Sequence, residues 1–318
     1  MFNPVSLVRN ILKEKDTNYL WGLLLVAISF LVWLIPKEQH SLLILATSFS
    51  IFGLGCIMFF DGLDYKLSGS SLLINDKDSK LSKTFSLAAV LTGIIFEFLV
   101  RIVTKNFIYP YFTPTIYLIL FVPGFILYFL IIAESYYACK SILDKYFKKL
   151  RIRKTSPKLI KWLHIIFLIL GIVGILYAFY HYDNAHLKIG GFSHSVNTEI
   201  KLETNIFITM MLGTCIWIVM DCIGFFLKKE MLLNLLFRGY LSPFLAVLLA
   251  CILLGIPMEV WNIPLNLWTY TNIPYADIQL FKIPLFVFLS WPFHYLPLLS
   301  MYVLTNKKVG KHPYTATE

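Results

Sequence analysis

Charge is scarce in this chain. Asp, Glu, Lys and Arg make up 14% of its 318 residues, against 58% hydrophobic residues and a mean hydropathy of +0.72. A soluble domain needs roughly a quarter charged residues to clothe its core, so the composition excludes that class and places the chain in a bilayer. Cysteine is scarce too. Cys56, Cys139, Cys215, Cys222 and Cys251 are odd in number, lack a CxxC spacing and fall in or beside apolar runs. Neither a disulfide framework nor a zinc site is indicated, and no metal or other cofactor is expected. Acidic residues are the minority sign, 18 against 28 basic, for a net charge of +10.

What is present is a series of eight apolar stretches, near Tyr19–Pro36, Ser41–Gly62, Lys83–Val103, Thr115–Cys139, Ile160–His181, Asn205–Leu227, Tyr240–Trp261 and Ile278–Leu304. Each is close to the roughly 20 residues that cross about 30 Å of hydrocarbon, and none alternates like a strand, so each is expected to be a helix. No cleaved signal peptide is expected: the first run is full length, follows a polar segment with Arg9, Lys13 and Lys15, and lacks a small-residue cleavage site. With the N-terminus inside, 22 of the 28 Lys and Arg residues fall in inside segments, nine of them between Lys140 and Lys161. The positive-inside rule therefore predicts a multi-pass cell (plasma) membrane protein with both termini cytoplasmic. The basic run Lys145–Lys161 reads as an anchor on anionic lipid, so membrane lipids are expected partners and nucleic acid is not.

The chain repeats itself. Glu97, Phe107, Tyr109 and Pro123 are matched by Glu259, Trp268, Tyr270 and Pro284; Glu to Tyr is 12 then 11 residues, and Glu to Pro is 26 then 25. Asp61 and Asp221 precede their glutamates by 36 and 38 residues. The expected fold is an all-α polytopic bundle of two four-helix repeats, 19–141 and 160–306. A cytoplasmic segment 1–18, a basic linker 142–159 and a tail 307–318 complete the chain. An even number of spans gives both repeats the same orientation, related by an axis along the membrane normal. The aromatic segments Thr104–Pro114 and Asn262–Asp277 are expected to roof a cavity between the halves.

Candidate chemistry centres on intramembrane acids. An ionised carboxylate at Glu97 or Glu259 must face a protein interior, be protonated or pair, because lipid offers it no partner. Arg101, one helical turn after Glu97, offers a locking ion pair as the alternative to a cavity role. Convergence of Glu97 and Glu259 near the pseudo-axis would give an acid–base pair, the candidate catalytic residues. Arg101, Tyr109, Asn262, Trp268 and Tyr270 are candidate substrate-binding residues. Glu134 and His294 join them, expected at similar depth, although a lone His in an aromatic helix also serves packing. Asp61 and Asp64 form a DxxD that either holds a metal–diphosphate or solvates a helix end. His181, Asp183, His186 and His194 in the long outer loop invite a metal reading, but neither HxH nor HExxH spacing occurs.

The stretches Phe60–Leu73 (FDGLDYKLSGSSLL), Phe96–Tyr109 (FEFLVRIVTKNFIY) and Glu259–Pro284 (EVWNIPLNLWTYTNIPYADIQLFKIP) resemble a family of uncharacterised prokaryotic multi-span membrane proteins. Its pattern has Asn and Trp where this chain has Val100 and Phe107, so the first copy departs from it. The span-end Glu, aromatic-x-Tyr loop and Pro-containing next span are also similar to integral membrane carotenoid-modifying proteins of the lycopene cyclase type. That resemblance implies acidic residues that protonate a polyene. The functional expectation is a membrane-embedded enzyme acting on an isoprenoid or other lipid, a hydrophobic small-molecule substrate, by proton transfer. A transporter or small-ligand receptor, or a structural, partner-binding protein, remains open, and the sequence leaves the oligomeric state open.

Overall fold

The computed structural model describes residues 18–73, 79–98, 107–147, 155–180, 202–271, 273 and 275–305. Arg101, Asp76, Asp78, the centre of the basic linker and the histidine-bearing loop 181–201 lie outside the described residues. Helices account for most of what is described. They are α1 Asn18–Ser29, α2 Leu42–Ser68, α3 Ser79–Glu97, α4 Pro114–Tyr146, α5 Pro157–Tyr180, α6 Leu202–Phe226, the short α7 Leu232–Phe237, α8 Ser242–Asn262, α9 Leu285–Ser290 and α10 Pro292–Thr305.

Among the described residues, five helical stretches are long and apolar enough to cross a membrane: α2, α4, α5, α8 and the α9–α10 run Leu285–Thr305. The other apolar runs are helical but shorter or more polar than the sequence suggests. The α1 helix tightens into a 3₁₀ turn at Phe30–Leu34 before Pro36 ends it. The first turn of α3 reads SKLSK, too polar for hydrocarbon. The last run differs most. Proline lacks the N–H that continues a helix, so Ile278–Pro284 is not helical; the hairpin β3 (Gln279–Leu280) with β4 (Ile283–Pro284) stands there, and Pro292 parts α9 from α10.

Local chemistry sets the helix ends. Ser41 and Thr113 accept from the N–H groups of Ile44 and Ile116, each at 3.4 Å, capping α2 and α4. Gly69 closes α2 in the left-handed region (φ 72°), where a side chain would be strained, and its N–H donates to the Tyr65 carbonyl at 2.8 Å. At the far end of α10, Lys229 Nζ donates to the Val303 and Leu304 carbonyls, both at 2.6 Å.

Packing is by small residues and buried aromatics. α1 lies on α2 with backbones almost touching: a Cβ on Gly55 would fall 2.7 Å from the Val26 nitrogen. α2 also packs on α4, α5 on α6, α6 on α10, α4 on α8, and α3 on both α10 and α4. Tyr136, Tyr137, Tyr295 and Tyr302 fill the centre, each at most 1% exposed.

One end of the bundle is tied by aspartates. Asp61 accepts from the Leu73 N–H at 3.1 Å, and Asp221 from the Leu233 N–H at 2.7 Å, each twelve residues on. Ser300 donates to Asp221, and Ser141 to Asp64 at 2.5 Å. These carboxylates thus clasp chain reversals and neighbouring helices.

Candidate functional site

The opposite end carries the site. Glu259 stands in the last turn of α8, and Asn262 turns the chain back on it: the Asn262 side-chain amide donates to the Trp268 carbonyl at 2.8 Å, and its oxygen accepts from the Trp268 N–H at 3.2 Å. That bracket folds Trp268 and Tyr270 over the helix end. Trp268 Nε1 donates to Glu259 Oε2 at 3.4 Å, and the Tyr270 hydroxyl donates to Oε1. Burial and then the neighbouring Glu259 charge hold the Tyr270 hydroxyl well above the ordinary tyrosine range, so it stays a donor. Glu259 is 1% exposed.

The first copy builds the same contact. Glu97 closes α3 at 5% exposure and accepts from the Tyr109 hydroxyl at 3.2 Å. The two aromatic-x-Tyr segments then meet as antiparallel strands, β1 (Phe107–Ile108) against β2 (Thr269–Tyr270), with Phe107 opposite Tyr270 and Ile108 opposite Thr269.

Beneath this ribbon lies a cavity of about 390 Å³. Among the described residues its walls are apolar apart from Glu259, Tyr109, Tyr117, Tyr128, Trp268, Tyr270, Trp291, His294 and the hydroxyls of Ser50, Thr92 and Ser290. Tyr128 of α4 hydrogen-bonds His294 Nδ1 at 2.6 Å, and its hydroxyl lies within Coulombic reach of both Glu259 and Glu97. Phe96 stands edge-on to the imidazole, 4.2 Å between ring centres, and Trp291 covers another side at 5.5 Å.

Of the residues singled out from the sequence, the structure brings Glu259, Tyr109, Trp268, Tyr270 and His294 to one cavity wall. Glu97 sits behind Tyr109, and Asn262 acts on the loop. Glu134 is directed elsewhere: it is fully buried against α2, where its carboxyl meets that of Asp61. Its neighbour Ser135 does meet Tyr295 at 3.4 Å, so Glu134 and His294 share a depth but face different partners. Arg101 lies outside the described residues. Tyr128 and Trp291 were not singled out, because one aromatic among many in an apolar span carries no sequence signal of its own.

Asp61 and Asp64 are fully buried and engaged with backbone and serine donors, and among the described residues no group of His, Cys, Asp and Glu is arranged to hold a metal ion. Chemically the cavity offers a carboxylate held by two donors, a phenol–imidazole pair and aromatic faces that stabilise positive charge. Comparison with protein-family models, with curated proteins and with solved structures finds no match in any of the three.

Proposed function

We propose that this chain is a membrane-embedded enzyme that rearranges an isoprenoid or other unsaturated lipid by proton transfer. The observation that carries the reading is the apolar cavity walled by Glu259, its donors Tyr270 and Trp268, and the Tyr128–His294 pair. A volume of about 390 Å³ lies in the ordinary range for ligand pockets, roughly 300–1,000 Å³.

In the proposed cycle, the Tyr109 hydroxyl, a donor to Glu97 at rest, rotates so that it accepts the proton of a protonated Glu97 while giving its own proton to a substrate C=C. The π pair becomes the new C–H bond and leaves a carbocation. Glu259 and the faces of Trp268 and Trp291 stabilise that charge. Loss of a proton from a neighbouring carbon to Glu259 restores a double bond in a new position, or closes a ring if a second double bond attacks first. The substrate's atoms are conserved, no oxidant or reductant is needed, and the cycle closes when the proton passes from Glu259 back to Glu97.

We further propose eight spans in two four-helix units of one orientation, in the plasma membrane with both termini inside. Five parallels support it. The pair α1–α2 corresponds to α5–α6, α2 on α4 to α6 on α10, α4 on α8 to α10 on α3, and the two Asp clasps and two Glu–Tyr contacts recur. In that topology the cavity lies in the outer half. The buried tyrosine layer below it favours a closed reaction chamber over a transport path.

The test is comparison of extracted lipids from cells making the wild-type protein and Glu259→Gln. A lipid species made by the first and lost in the second is expected. Identical profiles with and without the protein would sink the enzymatic reading.

A further inference from the structure

The cavity has a side opening. On α4, Leu120, Pro123, Gly124, Leu127 and Ile131 fall on one helical face by their spacing of three and four. The lower end of that face touches α2: a Cβ on Gly53 would lie 3.0 Å from the Ile131 side chain and 3.3 Å from Leu127. One turn further up the facing residues are exposed. Ser50 on α2 and Leu120, Pro123 and Gly124 on α4 all line the cavity and are all exposed. A Cβ on Gly124 would have nothing within 4 Å. Pro123 cannot donate to the carbonyl four residues earlier, a physical reason for α4 to bend at this level.

The depth of the opening decides what it faces. Ser50 and Gly124 stand eight and ten residues into helices that are both long and apolar enough to span, so at 1.5 Å per residue they lie roughly 12–15 Å along the axes. That is well inside a hydrocarbon layer about 30 Å thick. The opening therefore gives onto acyl chains rather than water.

Charge decides what the cavity accepts. Among the described residues its lining carries Glu259 and contains neither Lys nor Arg. Among the described lining residues a phosphate or diphosphate drawn in would lose its hydration, find no cation and meet a carboxylate, a combination that costs several kcal/mol per buried ion. A hydroxyl would lose little, since Tyr and His partners are at hand.

We propose that the cavity is loaded sideways from the bilayer through the gap between α2 and α4, and that its ligand is a neutral, single-chain, unphosphorylated lipid of the isoprenoid-alcohol or hydrocarbon kind. The proposal rests on reading the cavity as a lipid-substrate site, but its test reads binding and not turnover.

Full-length protein in detergent micelles is titrated with radiolabelled geranylgeraniol and, separately, geranylgeranyl diphosphate, which share a chain and differ in headgroup. The alcohol is expected to bind saturably and at least tenfold more tightly than the diphosphate. Gly124→Trp, whose ring enters open space, is expected to weaken alcohol binding at least tenfold, while Gly124→Ala leaves it within twofold. Equal or tighter binding of the diphosphate, or no saturable binding of the alcohol, overturns the ligand class. Unchanged binding in a folded Gly124→Trp overturns the route, and Gly124→Leu gives the same reading if the tryptophan variant does not accumulate. Binding as expected with no lipid product in cells would leave this inference standing and remove only the enzymatic one.

Discussion

A carboxylate inside a bilayer is defined by what donates to it. Glu259 has both oxygens engaged, by Tyr270 and Trp268, whereas the described partner of Glu97 is Tyr109. Glu259 is thus set as an acceptor. Tyr270→Phe and Tyr109→Phe test the two contacts one at a time. Each is expected to lower lipid conversion by about 10²–10⁴-fold, the usual worth of a positioned proton-transfer group. The check is product formed per unit of folded protein; a change below threefold in both would count against proton transfer along these contacts. The aspartates at the other end predict the opposite behaviour. Asp221→Ala strands the Leu233 N–H and the Ser300 hydroxyl in the core, and is expected to cost about 1–3 kcal/mol of stability while leaving ligand binding intact. Thermal unfolding in detergent alongside the geranylgeraniol titration reads both. At this scale the sequence was informative about acids and uninformative about aromatics. Two glutamates at matching positions in apolar spans stand out against so few charges. Tyr128 is one tyrosine among 18, and only its 2.6 Å contact with His294, 166 residues away, distinguishes it.

The β1–β2 ribbon joins elements that sequence spacing could only place on the same side. Two residues from each segment suffice, because antiparallel pairing satisfies backbone groups that lipid would leave bare. Ile108 and Thr269 stand directly opposite, at a separation that such pairs keep near 4.5–5.5 Å, within the range a disulfide spans. Oxidation of a double variant Ile108→Cys, Thr269→Cys is expected to form an intramolecular crosslink in high yield, seen as a mobility shift after cleavage between Phe147 and Pro157. Fragments that separate freely under oxidising conditions would contradict the pairing. The last span shows the limit of hydropathy as a guide. Ile278–Pro284 adjoins the apolar run that follows it, yet proline at 284 and residues Phe281 and Lys282 in the left-handed region make it a hairpin. Periodicity registers how apolar a run is; which carbonyls lose their donors depends on single prolines.

The whole molecule is held together across its middle, with α4 on α8 and α3 on α10. Such an interface predicts that residues 1–150 and 151–318, made as two chains in one cell, assemble. Co-purification of the tagged first fragment with the second, and recovered geranylgeraniol binding, are the expected results; fragments that never associate would argue against two self-contained units. The tyrosine layer and the clasped aspartates lie within apolar helices, which is why the helical, membrane-type character was readable and the ligand was not. Packing leaves periodic traces along the chain, whereas the cavity is a space lined by seven helices, α2, α3, α4, α6, α8, α9 and α10, and by two loops, and its shape belongs to no single segment. One small contact carries a consequence for biosynthesis. Where α1 abandons α-helical geometry, the Ser29 carbonyl accepts from Ser48 at 2.8 Å and from Trp261 Nε1 at 3.4 Å, the latter 232 residues downstream. Trp33 in turn donates to the Trp261 carbonyl at 3.2 Å. A ribosome adding about 5–20 residues per second needs roughly 10–50 seconds to deliver that tryptophan. For that interval the nascent N-terminal helices wait in the membrane with their break only half satisfied, so the insertion machinery, and not the finished fold, must shelter the first half of this protein.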